Sequence, residues 1–234
     1  MSLADPFFWT ALLKIIGVNI VLSGDNAVVI ALAARTLPPR QQAHAIRWGA
    51  AAAIALRIVL TLFAVALLAL PWLKLAGSIL LLWIGIRLLV PDEGGHGVSG
   101  AQSLLHAIRV ILVADLVMSV DNVIAVAAAA GGSWPLLAIG LAISVPLVIF
   151  GATLLVKVME RYPIVIAAGA ALIGFVAGEM AWEDRAIAAW TGAWPENLKY
   201  LVAVAAAAMV VVSGRWLARR AAGRPAATPQ HQAR

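Results

Sequence analysis

Apolar residues run through this chain in long, nearly unbroken stretches, not in the alternating or striped patterns of soluble strands and helices. A helix that crosses a bilayer needs roughly 20 predominantly apolar residues. Seven stretches meet that need, at about 7–34, 48–70, 73–90, 104–130, 135–157, 162–182 and 198–217. The first and fourth exceed a single crossing, which predicts tilted, broken or extended helices. Proline and glycine fall between the stretches, at Leu37-Pro38-Pro39, Leu70-Pro71, Pro91-Asp92-Glu93-Gly94-Gly95, Gly131-Gly132-Ser133, Tyr162-Pro163 and Trp194-Pro195, where they stop helices and turn the chain. Trp9, Trp72, Trp134, Trp190 and Trp194 sit near span ends, as an aromatic belt requires. The predicted architecture is an all-α membrane protein: seven transmembrane helices in one domain over 1–217, then a basic tail over 218–234.

A repeat organises these spans. Asn19-Ile20-Val21-Leu22-Ser23-Gly24-Asp25-Asn26 recurs 96 positions later as Asp115-Leu116-Val117-Met118-Ser119-Val120-Asp121-Asn122. Ala76-Gly77-Ser78 and Ala168-Gly169-Ala170 correspond more loosely. Spans one to three (about 7–90) and four to six (about 104–182) therefore read as two copies of one unit, with helix seven (about 198–217) added. Three spans is an odd number, so the second copy enters the membrane from the opposite side. Such inverted 3+3 repeats are an arrangement by which secondary transporters build a site near the bilayer midplane.

Composition narrows the class. Hydrophobic residues make up 63% and charged residues 12%, against roughly 45–50% and 25% in soluble domains. A soluble enzyme, a disordered chain and a fibrous protein are excluded, and no enzymatic activity is expected. Cysteine is absent, which removes disulfides, thiolate metal sites and thiol catalysis. The net charge of +6 marks the cytoplasmic side and not a nucleic-acid partner. Arg35, Arg40, Arg47, Arg87, Arg109, Lys157, Arg161 and the tail arginines fall on one side, and Lys74, Arg185 and Lys199 on the other. That predicts an outer N-terminus and a cytoplasmic C-terminus. Met1-Ser2-Leu3-Ala4-Asp5-Pro6 lacks a basic leader region, so span one is expected to stay in the mature protein.

Buried charge carries the chemistry. Each aspartate at a span centre costs roughly 2.5–3.5 kcal/mol if left facing lipid, so Asp25, Asp115 and Asp121 must face the bundle interior. At about 100° per residue, Asp115, Ser119 and Asn122 share one helix face beside Met118, and Asn19, Ser23 and Asn26 share another. Asp25 and Asp121 lie roughly 120° from those lines. Either the helices unwind there or the aspartates contact a neighbouring helix. Gly24 eases unwinding in the first copy, and Val120 does not in the second. Carboxylates, amide carbonyls and hydroxyls suit magnesium, calcium or manganese, and no histidine lies within a span. Met118 offers either a soft thioether or gap-filling packing. Arg57 is expected to be the charge partner of the aspartates. Glu179 is either an exit-gate ligand or interfacial, and Glu183 and Asp184 are expected to be solvated in the outer loop. Three aspartates less one arginine leave a charge of minus two, which one divalent cation neutralises. Protons replacing that cation would give metal–proton exchange.

The two motif segments, Leu22–Ala31 and Ala114–Ile124, resemble the paired signatures of the TerC family of bacterial integral membrane proteins. The likeness covers roughly 7–217 and is to the short subgroup without a soluble domain. It implies manganese efflux across the plasma membrane, kinship with the lysine-exporter superfamily, and metal-handling roles for Asp25, Asp115 and Asp121. Some longer relatives carry an acid where this chain has Asn19, which leaves the first half one charge short. Expected metal ligands are Asp25, Asn26, Asp115, Asp121 and Asn122, with Asn19, Ser23, Met118, Ser119 and Glu179 behind them. Manganese is the expected cargo, with no permanently bound cofactor. Expected partners are the divalent ion and membrane lipid, with a homodimer left open. Rival readings are export of a small organic cation or amino acid, and a non-transport factor for membrane-protein insertion. An intramembrane aspartyl protease lacks its Gly-x-Gly-Asp and Tyr-Asp pair here, and a retinal receptor lacks its mid-span lysine.

Overall fold

Helix α1 (Pro6–Val21) ends where the first motif begins, and α2 (Gly24–Ala34) resumes after a two-residue interruption at Leu22-Ser23. The rest of the chain folds as α3 (Pro39–Ala69), α4 (Leu73–Leu89), α5 (Gly100–Ala129), α6 (Trp134–Arg161), α7 (Ile164–Trp182), the single turn α8 (Ala188–Thr191) and α9 (Asn197–Ala222). This computed structural model describes residues 6–90, 100–129 and 134–222, and among them there is no strand. The breaks predicted at Pro91–Gly95 and Gly131–Ser133 lie outside the described residues, as does the tail beyond Ala222.

Five helices carry a segment long and apolar enough to cross a membrane: Pro39–Phe63, Ser103–Val120, Leu137–Arg161, Ile164–Trp182 and Asn197–Ala221. The other two predicted spans are shorter pieces. The first is divided between α1 and α2, and the third is α4, whose 17 residues reach about 26 Å. Outward-facing side chains are large and apolar: Leu62, Phe150, Ile164 and Val212 are each more than half exposed. A surface so apolar belongs in lipid, and a helix satisfies its own backbone there.

Contacts fix the helix directions. Gln41 meets Ser103, Gly49 meets Ile111 and Arg57 meets Asp115, so α3 and α5 run parallel. Ile15 meets Gly140 and Ala27 meets Gly151, so the α1–α2 pair and α6 also run parallel. A Cβ on Gly140 would collide with the branched Cγ2 of Ile15, and one on Gly49 would make the end of Ile111 shift. Ile15 and Ile111 are themselves 96 residues apart, the offset of the motif copies. Gly77 of α4 lies against Val117 of α5, and Gly169 of α7 lies against Val28 of α2.

Helix α9 packs outside these pairs. Gly174 and Gly178 of α7 come so close to Ala203, Ala206 and Ala207 that any side chain there would overlap the α9 backbone. Small residues spaced four apart let two backbones approach in this way. The largest apolar core runs from α2 (Ile30, Leu32) through Ile46, Leu81, Ile111 and Ile173 to Met159. It holds the polar centre of the molecule in place from one side.

Candidate functional site

The interruption between α1 and α2 exposes backbone groups at the centre of the bundle. Ser23 bridges the two helices (φ −107°, ψ 0°) without capping α2 through its side chain. The backbone N–H of Asn26 donates to Asp25 Oδ1 at 2.8 Å. The Leu22 carbonyl instead accepts two side-chain amides, Nδ2 of Asn26 at 3.0 Å and Nδ2 of Asn122 at 3.3 Å. The asparagines of both motif copies thus converge on one carbonyl. In the second copy α5 continues unbroken through Ser119–Asn122. Asn122 reaches across to the break in the first copy.

Beside that carbonyl lies a buried ion pair. Arg57 of α3 is 6% exposed and Asp115 of α5 is 4% exposed. Arg57 Nη2 donates to Asp115 Oδ1 at 2.5 Å and Nε to Oδ2 at 3.3 Å, the forked geometry that suits guanidinium and carboxylate. Arg57 Nη1 donates to Ser23 Oγ at 3.2 Å, and Ser119 Oγ donates to Asp115 Oδ2 at 3.2 Å. The side chain of Arg57 therefore ties α3 to α5 and to the α1–α2 interruption.

Two small cavities flank this pair, each with room for about one water-sized particle. The first is walled by Ser23, Asn26, Arg57 and Asp115, with Ala53 and Val148 among its apolar neighbours. The second is walled by Arg57, Thr61, Ser119, Asn122, Val126 and Leu141. Asn26 Oδ1 is buried and accepts no hydrogen bond among the described residues. A buried acceptor without a donor is costly in a protein interior, and a cation or water in the first cavity would relieve it.

The other expected ligands lie elsewhere. Asp25 is partly exposed and lines neither cavity, although the charges of Arg57 and Asp115 both reach it. Met118 is buried in the apolar core and lines neither cavity. The side chains of Asn19 and Asp121 fall outside the described residues. Among those described, no three histidine, aspartate or glutamate side chains gather closely enough to hold a metal ion.

Glu179 belongs to a second cluster, at the end of α7. Lys199 of α9 pairs with Glu179 at 3.5 Å and with Glu183, and Lys74 of α4 pairs with Glu183 at 3.3 Å. The expectation that Asp184 is solvated is corrected here, because it is fully buried. Its Oδ1 accepts the N–H groups of Trp72 (3.0 Å) and Ala186 (2.7 Å), and its Oδ2 accepts that of Leu75 (2.9 Å). Helix α4 has no cap of its own, since Trp72 stands at the capping position in the left-handed region (φ 70°) with no acceptor in its side chain. Asp184 supplies that cap from the far end of α7, with a negative charge at a helix N-terminus. The one available signal was the missing cap after Leu70-Pro71. Burial pushes the Asp184 carboxyl up, but the N–H groups around it outweigh this and hold it below its ordinary value. Burial likewise pushes Glu183 up, and the hydrogen bond and charge of Lys199, followed by Lys74, bring it below the usual range.

Comparison with known proteins follows the same line. The family model described as "Integral membrane protein TerC family" matches residues 4–222. The membrane protein YjbE of Bacillus subtilis is 46% identical over 175 residues, covering 75% of this chain and 80% of YjbE. YceF of the same organism is 24% identical, covering 90% of this chain and 83% of its own length. The inner membrane protein YgdQ of Escherichia coli K12 is 28% identical, covering 69% and 75%. No solved structure matches the chain.

Proposed function

Because the chain belongs to the TerC family of integral membrane proteins, we propose that it exports a divalent cation, manganese foremost, across the bacterial plasma membrane in exchange for protons. The observation that carries this reading is the buried, unpartnered Oδ1 of Asn26, on a residue that lines a cavity with the Asp115 carboxylate and the Ser23 hydroxyl. Oxygen donors alone suit a hard cation. Room for about one water-sized particle favours an ion over an organic cation or an amino acid.

The full transport unit has seven spans, α1 and α2 together making the first and α4 the third. The inverted repeat is supported by the recurring contact of a glycine with an isoleucine, Gly49 with Ile111 and Gly140 with Ile15, in two parallel helix pairs. The N-terminus lies outside and the C-terminus inside, with Arg87 and Arg219 at inner helix ends. Asp25 and Asp121 attract the cation on its way to the cavity beside Asp115. When the ion leaves, protons moving inward along the same path balance the charge it carried.

The test is survival under manganese stress of cells that lack their own exporters. Expression of this chain should restore growth and lower cell manganese, and Asp115→Asn or Asp121→Asn should abolish the rescue while the protein still reaches the membrane. Full rescue by both variants would remove the metal site from this reading. Calorimetry of manganese binding in buffers of different ionisation enthalpy should count released protons, and a zero count from about pH 6 to 8 would reject exchange.

A further inference from the structure

Two cavities meet at one side chain. Among the described residues, Arg57 is the only one that lines both. The order of the walls along the helices shows how the cavities are stacked. On α3, Ala50, Ala53 and Ile54 of the first cavity precede Arg57, and Thr61 of the second follows it. On α5, which runs parallel, Asp115 of the first precedes Ser119, Asn122 and Val126 of the second. Ala53 and Thr61 are about 12 Å apart along the helix axis. The cavities therefore lie one above the other along the bundle, the first towards the α2–α3 turn and the second towards the opposite end.

The guanidinium stretches across the space between them. Its bonds to described residues go to side chains, the carboxylate of Asp115 and the hydroxyl of Ser23. Such bonds break by rotation about side-chain torsions, with no helix having to unwind. The guanidinium also fills the position on Asp115 that an incoming cation would need. A cation that takes Asp115 must displace Arg57, the described side chain that the two cavity walls share.

We propose that Arg57 is a movable partition, a tethered cation that seals the path between two half-channels and yields its place on Asp115 to the passing ion. This rests on the reading of the chain as a transmembrane path for cations, and it adds the gate and the competition between gate and cargo.

Thiol labelling tests it, because the native chain has no cysteine to interfere. Ala53→Cys and Val126→Cys place single thiols in the first and second cavity of the full-length protein in sealed vesicles. Silver ion, a thiol-reactive cation about the size of a water molecule, is then added to one face at a time, and protection from a maleimide added after unfolding reads its reaction. With Arg57 present, each site should react from its own face only. With Arg57→Ala and Asp115→Asn combined, which removes the seal without stranding a buried charge, labelling from the far face should rise at least tenfold. Unchanged sidedness in that variant would overturn the proposal. Should the double variant fail to insert, Arg57→Ser combined with Asp115→Asn, which also leaves no charge buried, takes its place. There too labelling from the far face should rise at least tenfold, and unchanged sidedness would overturn the partition. Neither readout uses manganese, so lost manganese export with the expected labelling would count against the cargo and leave the gate standing.

Discussion

Asp115 and Asp184 are almost equally buried, at 4% and 0% exposure, yet they are answered by opposite means. Asp184 is held by backbone N–H groups from two segments of the chain, Trp72 and Leu75 on one side and Ala186 on the other. Asp115 is held by the side chains of Arg57 and Ser119. Backbone donors move only if the helix end moves, so Asp184 is a fixed clamp between α4 and α7. Side-chain donors can swing away and return, so the bonds to Asp115 are exchangeable. The number of bonds is similar in the two places, and the difference lies in what must move to break them.

The largest expected effect tests the mid-bundle pair. Asp115→Leu leaves the Arg57 charge buried without its carboxylate and should destabilise the protein by about 3–5 kcal/mol. Arg57→Met combined with Asp115→Leu should recover most of that in denaturant unfolding while export stays abolished. If single and double variants unfold alike, the pair is not the cause. Asp184→Ala should cost less, about 1–3 kcal/mol, because N–H groups at a membrane surface gain water when their cap is lost. Manganese export per folded molecule should persist in that variant, and its loss would end the contrast between clamp and site.

A pH series sharpens the same contrast. The carboxyls of Asp184 and Glu183 lie below their ordinary values in the folded protein. Their stabilising contribution is therefore fully present above the unfolded carboxylate range and is lost as pH falls through it, from roughly pH 4.5 downward. Melting temperature should drop across that window, and Asp184→Asn should flatten the drop. Asn26→Ala should move stability by only about 1 kcal/mol, one amide hydrogen bond to the Leu22 carbonyl, yet lower manganese affinity at least tenfold. Smallest is Lys74→Ala, whose exposed pairing with Glu183 should be worth no more than about 1 kcal/mol.

The helices were legible because lipid imposes a simple rule, an apolar run ended by proline or glycine. The interruption at Leu22-Ser23 could be anticipated from Gly24, whereas the matching interruption expected in the second copy does not occur, because Val120 gives the α5 backbone no such freedom. An arginine inside a span demands a partner, but the 58 residues between Arg57 and Asp115 carry no local pattern that selects one aspartate. The convergence of Asn26 and Asn122 on the Leu22 carbonyl was invisible, since it depends on how two distant helices cross. Asp184 was misread because Trp182-Glu183-Asp184-Arg185 looks like an ordinary polar loop. Its donors Trp72 and Leu75 stand more than a hundred residues earlier, at a helix start whose missing cap gives no hint of where the replacement comes from.

That separation has a consequence for synthesis. Asp184 follows Trp72 by 112 residues, and ribosomes add about 5–20 residues per second. For about 6 to 22 s the amide end of α4 exists while its cap has not yet been made. During that interval water at the membrane surface must serve those N–H groups, so the start of α4 has to wait near the interface. Only when the end of α7 has been made can the carboxylate replace that water. The N-terminal cap of a helix in the first half of this protein is therefore supplied by a residue of the second.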